Sequence, residues 1–477
     1  MHRRGKGPAR PPGAVRRPAV MLLTIMVAAL VTSGCTGHSG SHAASSTPTS
    51  AGTAPSGPKA IPQPPLGRLS KLTRGRLAPD SERVDLVMPS FSAPTRVTNP
   101  LFPIGSLDAV IVGEVDGAPL KIETTLLPQT RTVQWNGRQV QALQSQFCAY
   151  LNGRVTEVAV DLYAQADDGS VWYLGEDVVD YEQGVAATTA GTWRVGADGP
   201  AAMIMPAHPK VGDVYRTENI PGVAFEQVTV QRVGVTVTGP GGPIPGAMVG
   251  QELHQDEAAL EPKTFAPGHG EWFSGGGHDF EANALAVPAD ALSAPTPAEL
   301  TTLSSDADHL LDSTRSKNWN TASATVARMT GAWTTLRASE LPPRLGARMS
   351  QALHAMATAV GARNSRTAPQ AALDVADAGL DLQLRYRHPA EVNRARFELW
   401  TRRLLADAAA RDSAAVKGDV TTLAWIRDRI RFASTDGNDL DDQLRHLRSV
   451  ADAHELKVAM VQAARLHEAL TGLRPRP

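Results

Sequence analysis

Two cysteines in 477 residues are too few for a disulfide framework, so the chain must be held together by its packed cores. An excess of basic charge is missing as well: 47 Lys and Arg stand against 48 Asp and Glu. Six of those bases, Arg3, Arg4, Lys6, Arg10, Arg16 and Arg17, precede Cys35, and setting them aside leaves 41 against 48. That balance gives no electrostatic footprint for nucleic acid. The catalytic signatures are absent too. The folded region has no G-x-S-x-G elbow, no G-x-x-x-x-G-K-[ST] loop, no Rossmann glycine fingerprint with its acid and no H-E-x-x-H helix. Nucleophilic, nucleotide-dependent and zincin-type chemistry therefore have no sequence support.

What is present begins with a leader. The six bases precede "PAVMLLTIMVAALVTSGC", whose apolar run from Ala19 to Val31 spans roughly thirteen residues. Such a run is short for a bilayer crossing, and a basic region, a short apolar core and small residues before a cysteine make a secretory signal. "LVTSGC" resembles a bacterial lipobox, with Thr32 where leucine is usual. The resemblance implies that residues 1–34 are a signal peptide and that Cys35 is lipidated. It also implies an extracytoplasmic face of the cell membrane as the location. Ordinary cleavage or an uncleaved anchor are the alternatives. Residues 35–82 read as a disordered tether, since Ser, Thr, Gly, Ala and Pro cannot bury enough surface to offset ordering entropy. Its end, "LGRLSKLTRGRLAP", carries Arg68, Lys71, Arg74 and Arg76 without an acid, next to the membrane.

The texture then becomes β. Residues 83–292 hold runs such as "LDAVIVGEV", "QVQALQSQF", "VTEVAVDLYAQ" and "FEQVTVQRVGVTVTG", which alternate apolar with polar residues. Turn signals separate them at 115–119, 135–137, 151–153, 167–169 and 238–246. Tight turns with no helix between strands predict an antiparallel domain, either a sandwich or an open barrel. "GPGGPIPG" lacks the helix start of a phosphate cradle and reads as a mobile loop. Cys148, inside a strand-like run without flanking bases, reads as a small buried hydrophobe.

From "PADALSAPTPAEL" onward the period is helical, and residues 297–473 predict an all-α bundle of five or six helices. Val326, Met329, Trp333 and Leu336 form one stripe; Leu345, Met349, Leu353, Met356 and Val360 another; a last helix runs from Asp439 to about Leu473. The fold class expected is α+β in two domains, β-rich first and helical second.

Two runs carry a family likeness: "LYAQADDGSVWYLGEDVVDYEQG" and "MIMPAHPKVGDVYRTENIPGVA". They resemble a group of secreted or lipid-anchored bacterial proteins, mainly of high-GC Gram-positives, that has no assigned activity. The likeness covers roughly residues 95–275, and it implies an extracytoplasmic β domain without implying a reaction.

Three constellations remain. In "FAPGHGEWFSGGGHDFEA", His269 and Glu271 share a strand face, and the glycines at 275–277 let His278 and Glu281 return opposite them. Two imidazoles and a carboxylate can hold a divalent metal; a plain glycine-turned hairpin is the other reading. Glu176, Asp177, Asp180 and Glu182 follow Trp172 and Tyr173. That pattern suits a glycosidase pair, a sugar or cation site, or solvated strand ends. Asp374, Asp377 and Asp381 share one helix face, where arginines at 385, 387, 394 and 396 predict an ion-pair network, with a cation site as the alternative. The reading these support is a lipid-anchored envelope protein that binds a small molecule or envelope partner without catalysis. Its ligand site is expected at Trp172, Tyr173, Glu176 and Trp193, with Trp193, Trp172 and Phe225 lining an apolar pocket. No cofactor is required. The alternative is a metal-binding or metal-delivery protein using His269, Glu271 and His278, and a glycoside-type hydrolase is more remote.

Overall fold

A computed structural model describes residues 59–255, 259–276, 279–430 and 434–472. Residues 1–34, expected as a signal peptide, Cys35, the expected tether up to residue 58, and His278 lie outside these residues. Among the described residues, no helix is long and apolar enough to cross a membrane.

A short helix α1 (Lys71–Arg74) precedes the strands β1 (Asp108–Val115), β2 (Ala118–Trp135), β3 (Arg138–Leu151), β4 (Arg154–Gln165), β5 (Val171–Glu182), β6 (Val185–Thr188) and β7 (Trp193–Arg194). There follow β8 (Ala202–Met205), β9 (Val214–Ile220), β10 (Ala224–Gly239), β11 (Gly242–His254), β12 (Leu260–Ala266), β13 (Gly270–Gly276) and β14 (Asp279–Val287). All join one antiparallel sheet in the order β6-β5-β4-β3-β2-β1-β14-β13-β12-β11-β10-β9, with β7 and β8 paired to β5. The sheet is thus two meanders joined where the first strand meets the last. Asp116-Gly117, Asn136-Gly137 and Asn152-Gly153 all take positive φ, the two-residue geometry whose twist matches that of paired strands. At the β1–β14 seam a side chain on Gly113 would collide with the Phe280 carbonyl oxygen, so only glycine fits.

The run expected as a mobile loop is part of a hairpin instead. Thr238 pairs with Pro243 and Val237 with Ile244, so β11 already begins at Gly242. Pro243 and Pro245 are tolerated because β12 reaches only as far as Met248, which leaves their nitrogens without a strand to bond.

The helices are α2 (Ala298–Arg315), α3 (Trp319–Leu336), α4 (Pro343–Gly361), α5 (Thr367–Gln383), α6 (Pro389–Ala409), α7 (Ser413–Asp428), α8 (Ser434–Asp452) and α9 (Leu456–Gly472). Asn318, His388 and Asp412 cap α3, α6 and α7 with their side chains. The predicted stripes are buried: Met329, Trp333 and Leu336 on α3, and Leu345, Met349, Leu353, Met356 and Val360 on α4. Two boundaries differ from expectation. α2 is a separate helix, and the single last helix is two. His454 adopts φ 59°, and the Glu455 amide bonds back to Val450, which ends α8 with neither glycine nor proline to announce it.

One face of the sheet carries the helices. Val110, Leu285 and Val287 pack with α2 to α6, while Cys148, Tyr150, Val155 and Val158 pack with α6 to α9. Cys148 is fully buried, and burial pushes its thiol up to about 11, in keeping with an inert hydrophobe. The second major core is aromatic. Tyr163 stacks on Tyr173 at 4.8 Å, and Tyr173 meets Trp193 edge-on at 5.3 Å.

Candidate functional site

Between the two helix-packed patches, β2 presents charge to the helices. Lys121 reaches Glu123, Asp377 and Asp381 at 2.8, 2.9 and 3.2 Å. Arg348 of α4 clasps Asp377 and Asp381, Arg396 of α6 bonds Asp381 and Glu123, and Arg429 closes on Glu123. The expected network thus exists and reaches further, from helix to helix and into the sheet. Of the four arginines predicted for it, Arg396 takes part. Arg387, in the turn before α6, pairs with Glu391, Arg394 pairs with Glu398 on its own helix, and Arg385 donates to the carbonyls of Asp290 and Glu340. Asp374 pairs with Arg403. Glu123, Asp377 and Asp381 converge closely enough for a metal. Four cations already surround these three carboxylates, so a further positive ion finds no unmet charge there.

The opposite face is built differently. Strand alternation and register bring Glu157, Asp161, Glu176, Asp180, Glu218, Glu226, Glu252, Glu261, Glu271 and Glu281 onto it, with Lys263 and His254 among them. Four of the direct cross-strand neighbours are acid against acid: Glu157 with Asp180, Asp161 with Glu176, Glu218 with Glu226, and Glu252 with Glu261. Like charges facing each other across a ladder destabilise it. The face is also closed in, since β5 and β9, near opposite ends of the strand path, bring the Glu176 and Glu218 carboxyls into hydrogen-bond reach.

These acids divide into two groups. Around His254, Nδ1 lies 3.1 Å from Glu226, and Nε2 lies 3.0 Å from Glu261 and 3.6 Å from Glu252. Burial pulls the imidazolium down, yet Glu226 and Glu261 hold it up to about 11. Lys263 pairs with Glu252 at 2.6 Å. Burial lifts Glu252, and with Glu226 beside it the carboxyl rises to about 7 despite Lys263. Burial also works against Glu261, but His254 and Lys263 bring it down to about 2. The Thr217 hydroxyl lies 3.2 Å from both Glu226 and Glu252, and Ser274 donates to Glu261.

The second group has no base. Burial first, then Asp161, lifts Glu176 well above the carboxylate range, and burial with Glu176 does the same to Glu218. Asp161, which accepts from the Tyr173 hydroxyl at 2.8 Å, is raised by burial to about 6. Glu176 and Glu218 are each 2% exposed, and each keeps one oxygen without a hydrogen-bond partner.

Of the sequence candidates, Tyr173, Glu176, Asp180, Glu271 and Glu281 belong to this face. Trp172, Trp193 and Phe225 are fully buried and packed, with the Trp172 indole donating to Ser170, so they build core rather than frame an opening. Asp177 points away to Arg131 and Arg194, and Glu182 is exposed. His269 and Glu271 do not converge on one point. The two His269 nitrogens are taken by the Pro267 carbonyl at 2.9 Å and Asp290 at 3.1 Å, while Glu271 lies 4.0 Å from Lys263. The glycine-turned hairpin itself is there, as β13 and β14. The residues missed from sequence are Glu157, Asp161, Glu218, Glu226, Glu252, His254, Glu261 and Lys263. The available signal was phase: Glu226 alternates in step with the buried Val228 and Val230.

Comparison with protein-family models, curated proteins and solved structures finds no match, so the geometry alone carries the functional argument.

Proposed function

We propose that this is a binding protein of the cell envelope, held to the membrane by a lipid on Cys35, that receives a positively charged ligand on the acidic face of its sheet. The observation that carries the reading is the set of four acid-on-acid neighbours across the strands. A cation that joins such an arrangement relieves its repulsion. We read the sheet as an open barrel, which the approach of Glu176 to Glu218 supports, and the chain as a β domain followed by a helical one. The likeness of the two quoted runs to secreted and lipid-anchored bacterial proteins supports the envelope location. No nucleic acid partner and no catalytic step belong to this reading. A hydrolytic carboxyl pair needs a separation of about 5 Å or more and a cleft, whereas Glu176 and Glu218 are in contact and buried.

Two experiments test it. Fractionation of cells expressing the intact chain is expected to place it in the membrane pellet, and a Cys35→Ala variant in the soluble fraction. Equilibrium dialysis of the intact protein against zinc, calcium and spermidine is expected to show saturable uptake of at least one of them. Retention of none would sink the cation reading.

A further inference from the structure

We propose that Glu226, Glu252 and His254 are the ligands of one divalent metal ion of the zinc class. The inference rests on the cationic-ligand reading above and names its ligand. One ligand atom from each of the three residues falls within 4.8 Å of the others, and all three side chains are buried. The donors come from β10 and β11, neighbouring strands in direct register at Glu226 and His254, so the site stands on the rigid part of the sheet.

Donor chemistry selects the ion. One imidazole with two carboxylates suits zinc and its neighbours, whereas calcium and magnesium favour all-oxygen shells. An outer shell is already in place: Thr217 lies against both Glu226 and Glu252, and Ser274 fixes Glu261, which in turn bonds the His254 ring. Such partners orient ligands and tune their basicity. Two further groups point to a ligand independently of the acids' mutual contacts. The Tyr215 hydroxyl is fully buried without a hydrogen-bond partner, and Glu252 is its foremost charged neighbour. Glu218, directly opposite Glu226, keeps an unpartnered oxygen at 2% exposure.

Charge separates this cluster from the one beneath the helices. There, four cations meet three carboxylates. Here, Glu226, Glu252 and Glu261 face His254 and Lys263, with Glu218 beside them. On binding, one imidazole nitrogen gives its lone pair to the metal and its proton leaves to solvent. The ion then stands where like charges faced one another.

The test uses the intact protein and zinc alone, with manganese and calcium in parallel. Titration calorimetry and native mass spectra are expected to give one zinc per chain, with zinc tighter than manganese and calcium weakest. His254→Gln and Glu252→Gln are expected to weaken zinc more than about 100-fold, because outer-shell losses alone cost about 10–100-fold, the range expected for Thr217→Val. His269→Gln is expected to leave zinc affinity unchanged. X-ray absorption of the zinc-loaded wild type needs no variant to fold. It should report a single nitrogen at about 2.0 Å with carboxylate oxygens at about 2.0–2.2 Å. Zinc that survives both substitutions, or a shell without nitrogen, overturns the site while leaving the cationic reading intact. Tighter calcium than zinc also overturns it. Failure of every cation to bind removes both.

Discussion

The two faces of one sheet solve the same problem in opposite ways. Toward the helices, buried Glu123, Asp377 and Asp381 are matched by Lys121, Arg348, Arg396 and Arg429, each within ion-pair distance. On the other face a larger set of carboxylates shares Lys263 and His254, and burial with their mutual repulsion pushes several of them toward the protonated form. The first arrangement is complete within the chain and reads as architecture. The second leaves acids in excess of bases, and the cationic-ligand proposal rests on that imbalance. Burial of charge is therefore not in itself a sign of function; the sign is the mismatch between acids and bases.

That contrast can be broken by substitution. Arg429→Met is expected to have the largest effect, since it takes the shared partner from one buried Glu123 oxygen and from Gln146, leaving Lys121 and Arg396 on the other Glu123 oxygen: about 3–5 kcal/mol lost in urea unfolding. A loss under 1 kcal/mol would show that the helix-side network is not the tie it looks to be. Glu218→Gln should act with the opposite sign. Relieving one acid of a buried acid pair is expected to raise the urea midpoint, by about 1 kcal/mol in the metal-free protein. A fall instead would mean that the acidic face is already satisfied.

The pH dependence sharpens the same point. Glu252, at about 7 against an ordinary 4.5, favours the fold when neutral, so its penalty is absent below 4.5 and grows as pH climbs through 7. Buried Asp108 and Asp161, both at about 6, behave alike from 3.8 upward. The stabilising His254 imidazolium is complete below 6.5 and is lost as pH approaches 11. Burial opposes the ionised forms of Glu123 and Asp377, but Arg396 and Lys121 hold them low, so their stabilisation is lost only in acid. Unfolding midpoints of the metal-free chain should therefore peak at about pH 4, decline steadily from about pH 4.5 toward pH 8, and fall again in stronger acid. A flat profile from pH 5 to 8 would contradict the assignment of unmatched acids.

The smallest effect is expected one residue from Glu176. Asp177 on the solvent side pairs with Arg131 and Arg194, and Asp177→Asn should change stability by less than about 1 kcal/mol. An effect as large as that of Arg429→Met would erase the distinction between the buried and exposed acids of this region.

Much of the architecture was legible in the sequence because it is written locally. Asn-Gly and Asp-Gly turns, the switch of apolar period near residue 297 and the stripes on α3 and α4 each lie within one window of the chain. The site was not, because β9 to β13 contribute only one to three of its polar groups each, and register alone assembles them. Glu176 and Tyr173 were found through a dense local run. Glu226, Glu252 and His254 had only their phase within otherwise ordinary strands. His269 misled because its neighbours in sequence are glycines and acids, while its partners in space are Pro267 and Asp290.

The seam where β1 meets β14 has a consequence for how the chain comes to life. A strand that emerges near residue 108 must wait for one that ends at residue 287. Each meander can zip from its own short turns, but the join spans the greatest separation in the sheet and is expected to be the slow event. Until it closes, the carboxylates destined for the interior stay in water at no electrostatic penalty. Pulse-labelled amide exchange should therefore protect the β2–β3 and β10–β11 hairpins first and the seam last. A chain halted before β14 would hold two unjoined ribbons, with their acidic residues still facing water.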